Sequence, residues 1–186
     1  MNRLTLREGP LPGLVLVDRR RFGDDRGFFS RLFCPRELAD AGWNGGIAQI
    51  NHSHTARRGT VRGMHFQRAP YTEMKLVTCL RGEVLDVAVD LRRGSPTFLQ
   101  WQAVHLSGDG NTALLLPEGF AHGFQTLGDD VELIYCHSQP YVPEADAGLR
   151  PDDPRLAISW PLQITELSAR DAAHPLITAD FEGLVT

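Results

Sequence analysis

The sequence lacks any long apolar segment and has little cysteine. No apolar run approaches the ~18 residues that a membrane-spanning helix needs, and the opening MNRLTLREGP has no apolar core of a signal peptide. Cys34, Cys79 and Cys136 are an odd, widely spaced set without a CxxC pair. Such spacing favours reduced thiols over a disulfide framework or a zinc site. We therefore expect a cytoplasmic protein that does not contact a membrane.

An excess of positive charge and the common nucleotide-binding motifs are also absent. The net charge is −4, which argues against nucleic acid as a partner because such proteins usually carry a basic excess. Neither GxGxxG nor GxxxxGK[ST] occurs, so no cofactor bound through these loops is expected. With 186 residues, 42% of them hydrophobic, the chain fits one globular domain spanning 1–186. Any chemistry then comes from side chains.

What the sequence does contain is a series of short apolar runs. Between Gly13 and Ser138 about ten of them are separated by turn residues at intervals of ~8–12, which is typical of an antiparallel sandwich or barrel. A helix is predicted over 35–42, with Pro35 in its first turn and Gly42 at its end, whereas a C-terminal helix has only a weak signal. The tail, 142–186, is rich in Pro and Asp, and we expect it to lie as irregular chain over the barrel.

The stretch TVRGMHFQ, 60–67, carries an arginine, a glycine and a histidine inside a strand pattern. Strict alternation places Arg62 and His65 on opposite faces of this strand. Gly63 lies between them and is a natural site for a β-bulge, which would turn one of the two toward a common cavity. On its own, His65 fits a hydrogen-bonded structural histidine.

Polar side chains recur at positions that share a strand face with apolar ones. Singly, each fits a strand end or a solvent-facing position. Together they are typical of an antiparallel barrel that holds a ligand in its interior. The set comprises Gln49, Asn51, Lys75, Asp86, His122 and Tyr135.

The sequence HSH raises the question of a metal. His52 and His54 lie on one strand face, an arrangement that some metal-binding barrels combine with a carboxylate and a further histidine. No carboxylate follows HSH at close spacing. We therefore predict no metal site.

Ordered motifs along most of the chain carry a family resemblance. They include DDRGFF (24–29), AQINHS (48–53), GTVRGMHFQ (59–67), EMKLV (73–77), RGEVLDVAVDLRRGSPTF (81–98), LLLPEGFAHGFQTL (114–127), IYCHSQPYVPE (134–144), DDPRLAISWP (152–161) and ELSARD (166–171). This series resembles the dTDP-4-dehydrorhamnose 3,5-epimerases, cofactor-independent sugar-nucleotide epimerases of the cupin superfamily. The resemblance implies an all-β, cupin-type jelly-roll barrel with short flanking helices. It also implies a homodimer that exchanges N-terminal strands and a dTDP-4-keto-6-deoxyhexose substrate.

The same resemblance assigns catalytic roles. A 4-keto group acidifies the hydrogens on C3 and C5 of the sugar, so that a base can form an enolate and an acid on the other face can invert the carbon. His65 would be the base, because histidine both takes and returns protons near neutral pH. Asp171 would orient its ring. Lys75 would face the C4 oxygen, and Tyr135 would be the acid.

Further residues are implied to bind the substrate. Arg26 and Arg62 would contact the diphosphate, since guanidinium groups bond phosphate oxygens in pairs. Gln49 and Asn51 would be neutral donors nearby, and Phe29 and Tyr141 would line the nucleotide and sugar pockets. His122 and Asp86 would orient the side chains of the cavity.

Three segments depart from the family pattern. Ser30 and Arg31 stand where a glutamate is common, Glu73 stands where many members have glutamine, and Pro151 replaces a tryptophan. Alternatives to a 3,5-epimerase are an epimerase that inverts one carbon only, a sugar-nucleotide binding protein without turnover, and a metal-dependent cupin enzyme.

Overall fold

The computed structural model describes residues 2–186 as a β-structure with little helix. Two antiparallel sheets face each other and enclose an apolar core, so the prediction of an all-β jelly roll is confirmed. Among these residues no helix is long and apolar enough to cross a membrane.

The strands follow one another with short connections, and two helices of one turn flank them. The strands are β1 (Leu4–Glu8), β2 (Val15–Arg19), β3 (Arg21–Asp24), β4 (Gly27–Ser30), β5 (Gln49–Thr55), β6 (Val61–Gln67), β7 (Lys75–Arg81), β8 (Glu83–Asp90), β9 (Trp101–Ser107), β10 (Thr112–Leu116), β11 (Phe120–Thr126), β12 (Val131–His137) and β13 (Asp146–Gly148). The helices are α1 (Pro35–Leu38) and α2 (Ala169–Ala172).

Many neighbouring strands in each sheet are not consecutive along the chain, as a jelly roll requires. One sheet has the order β1-β2-β10-β7-β12-β5, and the other has the order β13-β6-β11-β8-β9. Strands β3 and β4 form a separate two-stranded sheet. The core between the two large sheets contains Val77 and Leu133 from the first and Ala88 and Phe124 from the second.

The tail covers the outer face of the second sheet. Leu149, Leu156 and Ile177 pack there against Val87 and Ala121. Strand β11 is therefore buried along its whole length. A strand buried on both faces needs apolar or fully hydrogen-bonded residues at every position, which explains why this part of the sequence does not alternate cleanly.

The predicted helix at 35–42 forms, but in two parts. Strand-like backbone at Cys34 leads into α1, and a 3₁₀ turn over Ala39–Ala41 follows. Gly42 ends it with φ 86°, the left-handed conformation that glycine adopts without a steric penalty. All three cysteines are free, as their spacing predicted.

Strand β6 contains the irregularity suggested by TVRGMHFQ. His65 pairs with His122 of β11, whereas Arg62 pairs with Phe124. Three steps along β6 thus correspond to two steps along β11, which is a β-bulge. Because His122 and Phe124 share one face of β11, their partners also share a face. Strict alternation was therefore wrong about Arg62 and His65, and the bulge hypothesis at Gly63 is confirmed.

Gly63 is needed here for two reasons. Its φ of 121° lies in a region that residues with a side chain rarely adopt. A Cβ at this position would lie 2.6 Å from Gly123 Cα and 2.7 Å from the His122 carbonyl oxygen. Both neighbours are backbone atoms of the adjacent strand, so neither can move aside without disturbing the ladder.

Replacing Gly63 with alanine is expected to destabilise the fold both through backbone strain and through steric overlap with β11. Gly45 provides a matched control, because its φ is 123° and a Cβ there would meet no atom within 4 Å. We expect Gly45→Ala to lower the free energy of unfolding by about 1–3 kcal/mol and Gly63→Ala to lower it by at least about 2 kcal/mol more. Urea unfolding of both variants measures the difference. Equal losses would contradict the steric argument.

Candidate active site

A cavity of about 790 Å³ opens between the two large sheets and is lined by residues of β5, β6, β7, β11 and β12. Both sheets and the tail contribute to its wall. The structure thereby brings together seven of the residues predicted from the sequence to act at one site. They are Asn51, Arg62, His65, Lys75, His122, Tyr135 and Asp171.

His65 and Asp171 form a direct hydrogen bond in this cavity. His65 Nε2 lies 2.7 Å from Asp171 Oδ1, and the side chains are 32% and 4% exposed. In its neutral form the imidazole would donate through Nε2 to the carboxylate and would keep a free lone pair on Nδ1. Burial opposes ionisation of Asp171, but the hydrogen bond and charge of His65 hold its pKa below the usual value. The pair is therefore a carboxylate beside an imidazole with one basic nitrogen.

Asp171 reaches His65 because the tail runs beside the start of β6. Val61 N donates to Glu166 O at 3.0 Å, and Thr165 N donates to Gly59 O at 3.1 Å. Helix α2 then begins with Ser168 as its N-cap, whose hydroxyl oxygen accepts from Asp171 N at 3.0 Å. This cap fixes the turn that directs the carboxylate at His65.

Tyr135 lies on the opposite sheet, on β12. Its hydroxyl lies 3.0 Å from Ser53 Oγ, and its ring stands edge-to-face with the His122 ring at 6.1 Å between centroids. Burial raises the pKa of the phenol above its ordinary value of 10. The group therefore keeps its proton throughout the neutral range and can act as a donor.

Lys75 begins β7 and is 11% exposed. Its Nζ lies 3.3 Å from Glu73 Oε1, and Glu73 Oε2 lies 2.7 Å from His137 Nδ1. Burial disfavours the Glu73 carboxylate, yet the hydrogen bond from His137 and the charge of Lys75 keep its pKa below the usual value. The cavity thus holds an ammonium whose position depends on a buried, ionised carboxylate.

His122 and Asp86 form a second histidine–carboxylate pair, deeper in the barrel. His122 Nε2 is 2.9 Å from Asp86 Oδ2, and the two side chains are 7% and 0% exposed. Burial lowers the pKa of His122 and outweighs the opposing influence of Asp86. The neutral ring therefore donates to Asp86. This pair is less exposed to solvent than the pair formed by His65 and Asp171.

The other predicted binding residues divide into two groups. Arg62 donates to Thr55 Oγ1 at 2.9 Å and to the His54 carbonyl oxygen at 3.2 Å, which holds it at the cavity wall. Gln49 and Tyr141 line a smaller adjoining cavity of about 150 Å³. Both cavities are lined by Asn51 and by four further residues, namely His65, Lys75, His137 and Arg170.

Arg26 and Phe29 do not lie with the others. They belong to the hairpin β3–β4, and neither is among the residues that line the two cavities. The Arg26 side chain is 89% exposed and pairs with Asp24, and Phe29 is 62% exposed. In the single chain, this hairpin therefore leaves two of the predicted binding residues in solvent.

The HSH sequence has a structural explanation. His52 of the edge strand β5 pairs with Glu132 of β12 at 3.1 Å, and His54 of β5 pairs with Asp130, just before β12, at 3.2 Å. Elsewhere, His65, Asp171 and His174 offer ligand atoms within 4.8 Å of one another. The hydrogen bond between His65 and Asp171 already accounts for two of these three side chains.

Several residues that line or support the site were not predicted from the sequence. Ser53 bonds the Tyr135 hydroxyl, Arg170 lines the cavity and pairs with Asp146, and His137 contacts Glu73. Strand alternation contained a signal for two of them, because Ser53 shares a face with Asn51 and His137 shares a face with Tyr135. His174 lies beyond the last motif of the tail and had no such signal.

Comparison with known proteins assigns this architecture to a family. The family model described as dTDP-4-dehydrorhamnose 3,5-epimerase matches residues 8–179. A protein of that name from Sinorhizobium fredii is 45% identical over 161 residues, which are 86% of this chain and 83% of the relative. The chain belongs to the dTDP-4-dehydrorhamnose 3,5-epimerase family. The family predicted from the motifs is confirmed, and the chain is an enzyme of the isomerase class.

Two solved structures of this epimerase family are similar throughout. A dTDP-6-deoxy-D-glucose-3,5-epimerase from Legionella pneumophila, in complex with dTDP-4-keto-L-rhamnose, has a TM-score of 0.90 and 38% identity, and the match covers 98% of this chain and 99% of that one. A 3'-monoepimerase from Streptomyces bikiniensis, in complex with dTDP-quinovose, has a TM-score of 0.84 and 35% identity, covering 90% and 85%. The cupin-type fold of the epimerases is thereby confirmed.

Two histidines with lowered pKa values predict how stability depends on pH. Burial lowers the pKa of His122 and of His174 in the folded state, so below about pH 6.5 the unfolded chain binds more protons. The free energy of unfolding should therefore fall as pH decreases from 6.5 to 5.5, by up to about 1.4 kcal/mol per pH unit for each group. Urea unfolding across this range measures the slope.

His122→Gln keeps a donor toward Asp86 and removes one of these titrations, so it should flatten the slope. His105→Gln is the matched control, because His105 is an exposed histidine paired with Glu83, and it should leave the slope of the wild type unchanged. A slope that stays the same in His122→Gln would contradict the assignment of His122 as neutral.

Proposed function

We propose that this enzyme epimerises a dTDP-4-keto-6-deoxyhexose at C3 and C5 and converts dTDP-4-dehydro-6-deoxy-glucose to dTDP-4-dehydrorhamnose. The observation that carries this proposal is the placement of a histidine–carboxylate pair and a protonated phenol on opposite sheets of one cavity. Removal of a proton from one face of a sugar ring and return of a proton to the other face require such an arrangement.

His65 is the general base in this mechanism. The 4-keto group acidifies the C–H bonds at C3 and C5, and Nδ1 of the ring takes one of these protons as the C–H electrons enter an enolate. Asp171, 2.7 Å from Nε2, stabilises the imidazolium that forms and keeps the ring in position. The support for this role is that Asp171 is ionised and His65 is open to the cavity.

Lys75 stabilises the enolate. Negative charge moves onto the C4 oxygen as the proton leaves, and a nearby ammonium interacts more strongly with this oxyanion than with the ketone. Tyr135 then delivers its proton to the carbon from the other side, which inverts the centre. The raised pKa of Tyr135 supports this role, because the group remains protonated until the enolate forms. Solvent afterwards returns a proton to the phenolate and removes one from His65.

The remaining residues bind and orient the nucleotide sugar. Arg62 supplies positive charge for the diphosphate, and Gln49 and Asn51 supply amide groups beside it. Tyr141 lies over the smaller cavity, where the sugar would contact its ring. His122 and Asp86 fix the inner wall. All of these steps use side chains of the chain itself, without a cofactor.

A homodimer would complete the site. Arg26 and Phe29 project from the hairpin β3–β4 into solvent, which is unexpected for residues that bind a nucleotide. Exchange of N-terminal strands between two copies would place this hairpin at the partner's cavity. In this arrangement each protomer is one domain, 1–186, whose tail supplies Asp171 to its own cavity and whose hairpin serves the other.

A single-centre epimerase is the second candidate. It is favoured by the structural similarity to the Streptomyces bikiniensis 3'-monoepimerase, which shares the fold at 35% identity. Base, acid and lysine would serve either reaction, so the number of carbons inverted has to be measured. A metal-dependent reaction would instead be abolished by a chelator.

Solvent exchange tests the mechanism. With dTDP-4-keto-6-deoxyglucose in heavy water, NMR should show deuterium and inversion at both C3 and C5, and EDTA should have no effect. His65→Ala should lose exchange at both carbons by at least about 100-fold, since the base initiates each step. Tyr135→Phe should still exchange, because His65 can return deuterium to the same face, but inversion should be lost.

Each other outcome contradicts a named part of the proposal. Label at one carbon would favour the single-centre epimerase. Exchange retained in His65→Ala would exclude His65 as the base, and inversion retained in Tyr135→Phe would exclude Tyr135 as the acid. Circular dichroism of both variants controls for loss of fold.

Subunit complementation tests the shared site. His65→Ala and Arg26→Ala should each be inactive as homodimers, but a hybrid dimer carries one intact site. Co-expression of the two chains with different tags, followed by isolation of the hybrid, should recover about half of the wild-type activity per dimer. No recovery in a verified hybrid would mean that Arg26 acts within its own protomer.

A further inference from the structure

Lys75 stands at the end of a continuous series of side-chain hydrogen bonds. We propose that Glu73 and His137 are positioning residues, which hold the Lys75 ammonium at the reacting oxygen through a one-directional hydrogen-bond chain that begins at the backbone N–H of Tyr141. This inference rests on the proposed function, because it gives a role to residues around the lysine that stabilises the enolate. Neither Glu73 nor His137 has a part in the proton transfers themselves.

The sheet register brings these residues to one face. His137 of β12 lies directly opposite Lys75 of β7 on one side and opposite Gln49 of β5 on the other. Directly opposed residues in antiparallel strands point to the same face of the sheet. Asn51, two residues beyond Gln49, also faces this side. The hydrogen-bond chain therefore lies on one face of the neighbouring strands β5, β12 and β7.

The contacts are continuous from Tyr141 to Lys75. Tyr141 N donates to Gln49 Oε1 at 2.9 Å, and Gln49 Nε2 donates to Asn51 Oδ1 at 3.1 Å. Asn51 Nδ2 lies 3.4 Å from His137 Nε2, and His137 Nδ1 lies 2.7 Å from Glu73 Oε2. The other carboxylate oxygen, Glu73 Oε1, lies 3.3 Å from Lys75 Nζ.

Both ends of this chain have a fixed polarity. A backbone N–H only donates, and the ionised carboxylate of Glu73 only accepts. Every group between them must then accept from the Tyr141 side and donate toward Glu73. For His137 this means a neutral ring with its proton on Nδ1. Reversal of any single amide or of the ring tautomer would bring two donors or two acceptors together.

Because His137, Glu73 and Lys75 are largely buried, the direction of the hydrogen-bond chain determines how they are oriented. The side chains of His137, Glu73 and Lys75 are only 9%, 10% and 11% exposed. Water therefore contributes little to the orientation of the carboxylate. The lysine side chain is a flexible four-carbon stem, so its ammonium needs a fixed partner to hold one position. Because electrostatic stabilisation of the enolate depends on that position, Glu73 and His137 should affect the chemical step more than binding.

Glu73→Gln tests the positioning role. The introduced amide has one oxygen, so its nitrogen must face either the Lys75 ammonium or the Nδ1–H of His137, and both are donors. We expect kcat to fall about 10-fold or more, with KM within about 3-fold of the wild type because the nucleotide contacts are unchanged. Glu83→Gln is the matched control, since Glu83 makes a similar 2.9 Å contact with His105 away from the site, and it should leave kcat unchanged.

A second change should restore part of the activity. Asparagine places its amide near the position of a histidine Nδ1 and can turn its oxygen toward the amide introduced at residue 73. Glu73→Gln/His137→Asn should therefore recover at least about 3-fold of the kcat that Glu73→Gln loses. An unchanged kcat in Glu73→Gln, a loss confined to KM, or no recovery in the double variant would overturn the proposal.

NMR separates this proposal from the proposed function, because it needs no substrate. Long-range ¹H–¹⁵N spectra, assigned with His137→Asn, should show His137 as the neutral Nδ1–H tautomer in the wild type and a changed tautomer or charge state in Glu73→Gln. The Nε2–H tautomer or an imidazolium in the wild type would overturn the hydrogen-bond chain even if the enzyme epimerises. Absence of turnover together with the expected tautomer would instead refute the proposed function alone.

Discussion

The close approach of β6 and β11 at Gly63 and Gly123 is the constraint on which the site depends. A Cβ on Gly63 would meet the backbone of β11, and a Cβ on Gly123 would lie 2.5 Å from Met64 Sδ and 2.8 Å from the Arg62 carbonyl oxygen. Because neither glycine has a Cβ, β6 accommodates one residue more than the stretch of β11 that pairs with it. Arg62 and His65 then face the same cavity, while Met64 packs into the core beneath the tail.

The rest of the site follows from two sheets that face each other. One sheet and the tail supply an imidazole with its carboxylate, and the other supplies an ammonium and a phenol. Burial then sets the protonation states: the Tyr135 phenol stays protonated, and His122 stays neutral. Asp171 and Glu73 remain ionised despite burial, because each accepts hydrogen bonds from a histidine and, for Glu73, faces a lysine. The strands thus hold proton-accepting and proton-donating groups on opposite walls of one cavity.

Most of the barrel could be predicted from the sequence. The apolar runs correspond to strands because turn residues separate them at a regular interval, and Pro35 and Gly42 mark the ends of the one helical segment predicted there. Strands β1, β3 and β13 were not predicted. They are short, they lie at sheet edges or in a separate hairpin, and their polar or small residues carry little alternation. These strands form by pairing with their neighbours, and the residue pattern of each segment does not predict them.

Alternation along the sequence determined which side chains of a strand share a face, and so grouped Tyr135 with His137 and Lys75 with Glu73. The family motifs determined which residue types occupy the site. Only the tertiary structure decided that Asp171 meets His65, 106 positions apart, and that Arg62 joins them across a bulge. Alternation acts within one strand, whereas register, bulges and the course of the tail depend on how separate strands pack against one another.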